Sequence, residues 1–196
     1  MQEGKPKKTI SPVFFSVLTI LGFIVLNFVI VWPLFRGEYF NYQDSFEPVI
    51  LSLARYWNKN FLSHWYPYWQ LGSPAFLIYN PLLPLLLASL AKLFHIVPLG
   101  QINRIILGIA SILTPVFVYL FVKRLAKREF TAILAGLCYS VPINFWVLFF
   151  PEIKKSLLEA GYLPSRLLFA AQSGQTSHAL ALMLLPLICL LFLALS

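Results

Sequence analysis

The chain alternates between long uncharged apolar runs and short segments that carry its charges. The first run extends over 10–35, and no charged residue lies between Lys8 and Arg36. It is longer than the roughly 20 residues that a helix needs to cross the hydrocarbon core, and too long for the apolar core of a signal peptide. The pattern predicts a transmembrane helix over 10–35, preceded by a basic cytoplasmic N-terminus over 1–9.

Three later runs have the same character and predict transmembrane helices over 104–122, 130–150 and 178–196. Pro115 and Pro142 interrupt two of them. Because proline is tolerated where neighbouring helices cover the freed carbonyl groups, we expect a helix bundle. The last run reaches Ser196 with no basic residue after it, so we expect this chain to be the N-terminal part of a longer polytopic protein.

The segment 75–97 is apolar enough to span a membrane, but Lys92 and His95 interrupt it. The short loop 123–129 contains four basic residues, and such loops are typical of the cytoplasmic side. That loop would lie outside if 75–97 crossed the membrane. We therefore favour an interfacial or re-entrant segment, with a full crossing as the alternative.

Together these assignments predict an all-α polytopic transmembrane helix bundle. It has a first extracytoplasmic loop over 36–103, a basic cytoplasmic hairpin over 123–129 and a second extracytoplasmic segment over 151–177. Charged residues make up only 11% of the chain, against about 25% in a soluble domain. This excludes a cytosolic enzyme and, despite the net charge of +8, a nucleic-acid-binding protein. The predicted location is the inner (plasma) membrane, with membrane lipid as a partner.

The first loop is rich in aromatic residues. Six of the nine tyrosines and three of the five tryptophans lie between Arg36 and Asn80. One interpretation is an aromatic belt at the level of the lipid headgroups. The other is a surface on which sugar faces or headgroups stack.

Asp44 is the only aspartate, and it opens the sequence Asp-Ser-Phe-Glu47. The spacing predicts a capping box at the start of an interfacial helix over 44–60. The apolar stripe of this helix would face lipid or the bundle, and it consists of Phe46, Val49, Ile50, Leu53 and Trp57. The alternative role for Asp44 is a carboxylate at the membrane boundary that accepts a proton or holds a divalent cation. No metal site is predicted, because His64 has no partner at metal-binding spacing and the two cysteines form no CxxC motif.

The order of motifs resembles a known superfamily. YQDSF at 42–46 is followed by WYPYWQLGSP at 65–74, YNPLL at 79–83 and GQTSHALALMLLPL at 174–187. This order is similar to the N-terminal half of GT-C-type polytopic glycosyltransferases, and most similar to the group of membrane proteins labelled 6-pyruvoyl-tetrahydropterin synthase-related.

The resemblance implies transfer of a sugar from a polyprenyl-phosphate donor to a saccharide or protein acceptor on the extracytoplasmic face. It makes Asp44 the general base, ionised at neutral pH at an ordinary pKa of about 3.9. A divalent cation is compatible with this scheme, and no other cofactor is expected. The candidate substrate contacts are Glu47, His64, Trp65, Trp69, Arg104 and Glu152.

The paired acidic motif of some relatives is missing at Glu152. We expect the 196 residues alone to be inactive. The competing hypothesis is a non-catalytic scaffold, a lipid-binding protein or a transport subunit that shares the fold.

Overall fold

The chain is described by a computed structural model over residues 11–36, 47–68, 72–75, 80–141 and 176–195. Six α-helices lie in these ranges, together with a 3-10 turn at Trp32–Arg36 and two short strands. The helices are α1 (Pro12–Val31), α2 (Glu47–Lys59), α3 (Leu82–Leu93), α4 (Leu99–Ala126), α5 (Glu129–Ser140) and α6 (Thr176–Leu195). The strands β1 (Trp65–Tyr66) and β2 (Ser73–Pro74) pair antiparallel.

Three of these helices are long and apolar enough to cross a membrane, over Val13–Val31, Leu99–Ala126 and Thr176–Leu195. The predicted helical class is therefore confirmed, with three candidate membrane-spanning helices in the described residues, and the short strand pair is an addition to it. The predicted helix 130–150 is described only as far as Ser140, at the end of α5. Its second half lies outside the described residues.

Ser11 and Pro12 fix the start of helix α1. The Ser11 hydroxyl accepts a hydrogen bond from the Phe14 amide at 3.2 Å, and Pro12 occupies the first turn. A serine cap satisfies an amide that has no partner within the helix, and proline has no amide to lose at that position.

The long helix α4 and the short helix α5 form a tight hairpin. Lys127 closes α4 in the left-handed conformation, with φ of 54°, and its amide donates to the Lys123 carbonyl at 3.1 Å. Helix α5 begins two residues later. The hairpin brings the Lys123 ammonium within 2.6 Å of the Glu129 carboxylate, and the ammonium also donates to the hydroxyl of Ser16 on α1.

Helix α1 runs antiparallel to α4. In its middle, Phe23 packs against Val116 and Tyr119 of α4, together with Ala132 of α5. At its C-terminal end, Val31 and the following Leu34 pack against Leu107, near the beginning of α4. The start of α6 also lies at this end, since Ala179 contacts the same cluster.

Helices α2 and α3, joined by the strand pair, form a unit that we call the platform (47–68, 72–75 and 80–93). Ile50, Leu51 and Ala54 of α2 share a buried cluster with residues of α3 and with Ile102 and Ile106 of α4. The apolar stripe predicted for this helix therefore faces protein. Because Ile102 and Ile106 belong to the first turns of α4, the platform and the basic hairpin lie at opposite ends of the bundle.

Within the segment 75–97, the structure contains the 12-residue helix α3. A helix of this length extends about 18 Å, whereas the hydrocarbon core is about 30 Å thick. The interfacial or re-entrant placement of this segment stays a prediction.

A close approach holds α1 against α5. The Asn27 amide donates at 2.9 Å both to the Phe23 carbonyl and to the Ser140 hydroxyl. One turn away, Gly136 lies directly under the ring of Phe23, so that an added methyl group would overlap the ring. A small residue at this position lets the two backbones approach closely, as is common between membrane helices.

Replacing Gly136 with alanine should weaken this contact. Alanine gains about 1 kcal/mol of helix propensity over glycine, but overpacking costs about 1–3 kcal/mol. Gly22→Ala is the matched control, because nothing lies within 4 Å of the added group. We expect Gly136→Ala to unfold in detergent at a lower temperature than Gly22→Ala. Equal unfolding temperatures would contradict the close packing.

Candidate functional site

A buried ion pair joins the platform to the long membrane helix. The Glu47 carboxylate accepts a hydrogen bond from the Arg104 guanidinium at 2.5 Å and from the Asn103 amide at 2.9 Å, with one carboxylate oxygen for each donor. Glu47 is the first described residue of α2, whereas both donors lie in the second turn of α4. The contact therefore fixes the beginning of α2 to the beginning of α4.

Burial makes this contact energetically important. The side chain of Arg104 is 1% exposed and that of Glu47 is 5% exposed. A charge in such surroundings is tolerated only when it is paired and hydrogen-bonded. Burial raises the pKa of Glu47 above its ordinary 4.5, while the Arg104 charge and the Asn103 hydrogen bond act in the opposite direction. The carboxylate thus depends on these two partners to stay ionised.

The aromatic residues of the platform divide into a buried and an exposed group. Trp57 and Tyr66 are buried in the core between the platform helices, where the Trp57 indole donates to the Ser63 carbonyl at 3.0 Å and the Tyr66 hydroxyl donates to Ser52 at 2.9 Å. Trp65 is 54% exposed and Tyr68 is 77% exposed. Packing therefore accounts for the first pair, whereas the second pair offers ring faces at the surface.

The strand pair sets the position of the exposed rings. The Ala75 amide donates to the His64 carbonyl at 2.8 Å and extends the pairing of β1 with β2. Gly72 adopts φ of +107° directly under the Trp65 indole, where any side chain would overlap the ring. Tyr68 packs edge-on against Tyr56 and Tyr66, at centroid distances of 6.1 and 5.6 Å. The rings are thus held by backbone pairing and by their neighbours.

The structure brings some of the sequence-predicted site residues together and separates others. Glu47 and Arg104 contact each other directly. Trp65 lies in β1 and His64 directly precedes it, and both side chains are on the exposed side of the platform. Asp44, Trp69 and Glu152 lie outside the described residues, and so does the capping box predicted between Asp44 and Glu47.

Sequence reasoning missed Asn103. A signal was present, because Asn103 and Arg104 form a polar pair between Ile102 and Ile105 in an apolar run. Two adjacent polar residues there indicate a partner inside the protein, but the sequence does not show which one.

Within the part of the chain that the structure describes, no three histidine, cysteine or acidic side chains converge on a point where they could hold a metal ion. Both oxygens of Glu47 already accept hydrogen bonds. The described side chains therefore form no group that fits a divalent cation.

Breaking the ion pair should destabilise the protein strongly. Arg104→Met leaves a buried carboxylate without its countercharge, so we expect the free energy of unfolding to fall by about 3–5 kcal/mol at neutral pH. Arg55→Met is the matched control, because Arg55 lies on the exposed side of α2, and it should cost less than about 1 kcal/mol. The measurement is equilibrium unfolding in detergent.

The loss of stability caused by Arg104→Met should depend on pH and on the presence of the Glu47 carboxylate. Without Arg104, the raised folded-state pKa of Glu47 should rise further. The stability that Arg104→Met loses at neutral pH should therefore be recovered below pH 4.5, the ordinary pKa of this group. It should be lost again as the pH rises through the raised folded-state pKa.

The double variant Glu47→Leu with Arg104→Met buries no charge and should be more stable at neutral pH than Arg104→Met alone. A double variant as unstable as the single one would contradict this account.

No protein-family model, curated protein or solved structure matches the chain. The resemblance to GT-C glycosyltransferases thus rests on the motifs quoted above. The fold itself contains three helices long and apolar enough to cross a membrane, with a helical platform at one end of the bundle.

Proposed function

We propose that this chain forms the acceptor side of a GT-C-type membrane glycosyltransferase. The sugar passes from a polyprenyl-phosphate donor to a hydroxyl group of the acceptor on the extracytoplasmic face. The acceptor oxygen attacks the anomeric carbon, its proton passes to the Asp44 carboxylate, and the polyprenyl phosphate leaves with the electrons of the broken carbon–oxygen bond. General-base assistance of this kind contributes roughly 10²–10⁴-fold to a rate.

The observation that carries this proposal is the anchoring of Glu47. Its carboxylate is fixed to the beginning of α4 by Asn103 and Arg104. Asp44 precedes Glu47 by three residues, and three residues of chain span at most about 11 Å. In this proposal the base therefore lies near one end of the membrane-crossing bundle, where a lipid-linked donor would present its phosphate.

The exposed rings of the platform support the same proposal. Trp65 and Tyr68 offer aromatic faces, and aromatic rings attract polar ligands with apolar faces, such as sugars. Both lie on the unit that Glu47 ties to α4. A saccharide acceptor stacked there would lie within the region that contains the proposed base.

The alternative is a non-catalytic membrane scaffold or lipid-binding subunit, and one observation favours it. Glu47 and Arg104 were both candidate substrate contacts, yet they are buried against each other. In that hypothesis Asp44 only caps α2, and the platform only closes one end of the bundle.

Asp44→Asn separates the two hypotheses. Asparagine caps a helix about as well as aspartate but cannot act as a base at neutral pH. We expect the transfer of radiolabelled hexose from polyprenyl-phosphate hexose into envelope material to fall by roughly 10²–10⁴-fold. The assay uses membranes containing the whole protein, compared with membranes that lack it.

The matched control is Glu38→Gln, which neutralises another carboxylate of the same loop and should retain the parental rate. Unchanged transfer by Asp44→Asn would disprove the catalytic role. Equal transfer in membranes with and without the protein would favour the scaffold.

The orientation can be tested separately, in a chain whose Cys138 and Cys189 are replaced by serine. Asn60→Cys places a thiol on the platform, and Ala126→Cys places one at the hairpin. We expect a membrane-impermeant maleimide to label Asn60→Cys in intact cells, and to label Ala126→Cys only after the membrane is permeabilised. The reverse pattern would contradict an extracytoplasmic platform.

A further inference from the structure

The opposite end of the bundle contains an apolar groove. It lies between the last turns of α4 and the last turns of α6, and its volume is about 370 Å³. Six side chains line it, and all are apolar or weakly polar: Phe121, Leu125, Ile188, Cys189, Phe192 and Leu193. Both helices are long and apolar enough to cross the membrane, so the groove opens toward lipid.

Exposed basic residues lie next to the groove residues of α4 along the chain. Arg124 is exposed and immediately precedes Leu125. It follows Phe121 by three positions, a spacing that puts two residues on one face of a helix. Lys127 and Arg128 continue the exposed basic surface through the turn. The fourth basic residue, Lys123, is engaged by Glu129 and by the hydroxyls of Ser16 and Tyr119.

The apolar groove and the basic residues of the hairpin together indicate which ligand would bind. The groove has the lining of an acyl-chain site, whereas the hairpin beside it attracts an anion. Arginine suits phosphate because its planar guanidinium donates two parallel hydrogen bonds. Basic pockets between membrane helices are typical binding sites for anionic lipid headgroups.

We propose that this end of the bundle binds an anionic phospholipid from the adjacent leaflet. One acyl chain lies in the groove between α4 and α6, and the phosphate group contacts Arg124 and Arg128. The site lies at the end of the bundle opposite the platform and does not depend on the proposed sugar transfer.

The test is native mass spectrometry of the whole protein in detergent, with an equimolar mixture of phosphatidylglycerol and phosphatidylcholine that carry the same acyl chains. We expect preferential retention of phosphatidylglycerol. Arg124→Gln with Arg128→Gln should lower the ratio of the two bound lipids roughly thirtyfold, since each basic residue near a membrane surface contributes about fivefold. The ratio is insensitive to a general loss of stability.

Two matched controls accompany this variant. Arg55→Gln with Lys59→Gln removes the same charge at the platform and should leave the ratio unchanged. Cys189→Phe puts a bulky ring into the groove and should exclude the acyl chain. The retention of phosphatidylglycerol should then fall to that of phosphatidylcholine. Cys138→Phe, at an exposed position on α5, should not.

Three results would each overturn the proposal. The first is equal retention of the two lipids by the parent protein. The second is an equal loss in the platform control, which would indicate a nonspecific effect of net charge. The third is equal behaviour of Cys189→Phe and Cys138→Phe, which would exclude the groove as the site of the acyl chain.

Discussion

The burial of Glu47 and Arg104 against each other is the constraint on which the arrangement of the platform depends. Neither charge is stable in an apolar interior without the other, so the start of α2 and the second turn of α4 must meet before either can be buried. Once they meet, the apolar stripe of α2 packs on α3 and on Ile102 and Ile106. The apolar face of the short amphipathic helix α2 thus packs against protein, although it could have packed against lipid.

The bundle is held by polar contacts at three levels, and each contact joins segments distant in sequence. Glu47 with Arg104 ties the platform, Asn27 with Ser140 ties α1 to α5, and Lys123 with Ser16 ties the hairpin to α1. Apolar packing between membrane helices has no hydrophobic driving force in lipid. Polar contacts and close approaches such as that of Gly136 to Phe23 therefore fix the register. They leave the two ends with different chemistry, aromatic at the platform and basic at the hairpin.

The boundaries of α4 show why charged residues mislead a reading from the sequence. The prediction began the membrane helix at Arg104 and ended it at 122, before Lys123, because a charge normally ends an apolar span. The helix instead runs from Leu99 to Ala126 and continues past both charged residues. The helix includes Arg104 because Glu47 neutralises its charge. It includes Lys123 because this ammonium forms an ion pair with Glu129 and hydrogen bonds with two hydroxyl groups. The strand pair was missed because two-residue strands leave no periodic pattern.

The sequence by itself determined the membrane-embedded class, the long apolar helices and the amphipathic stripe of α2. These depend on local composition and on the 3.6-residue period, which a single segment carries in full. Only the tertiary structure decided the role of Glu47, because its partner lies 57 residues away in sequence. In the sequence the same residue is a candidate capping partner and a candidate substrate contact, and neither interpretation identifies Arg104 as its partner. The fold also decided which aromatic residues are core and which are surface, since that depends on which face of the platform meets α3 and α4.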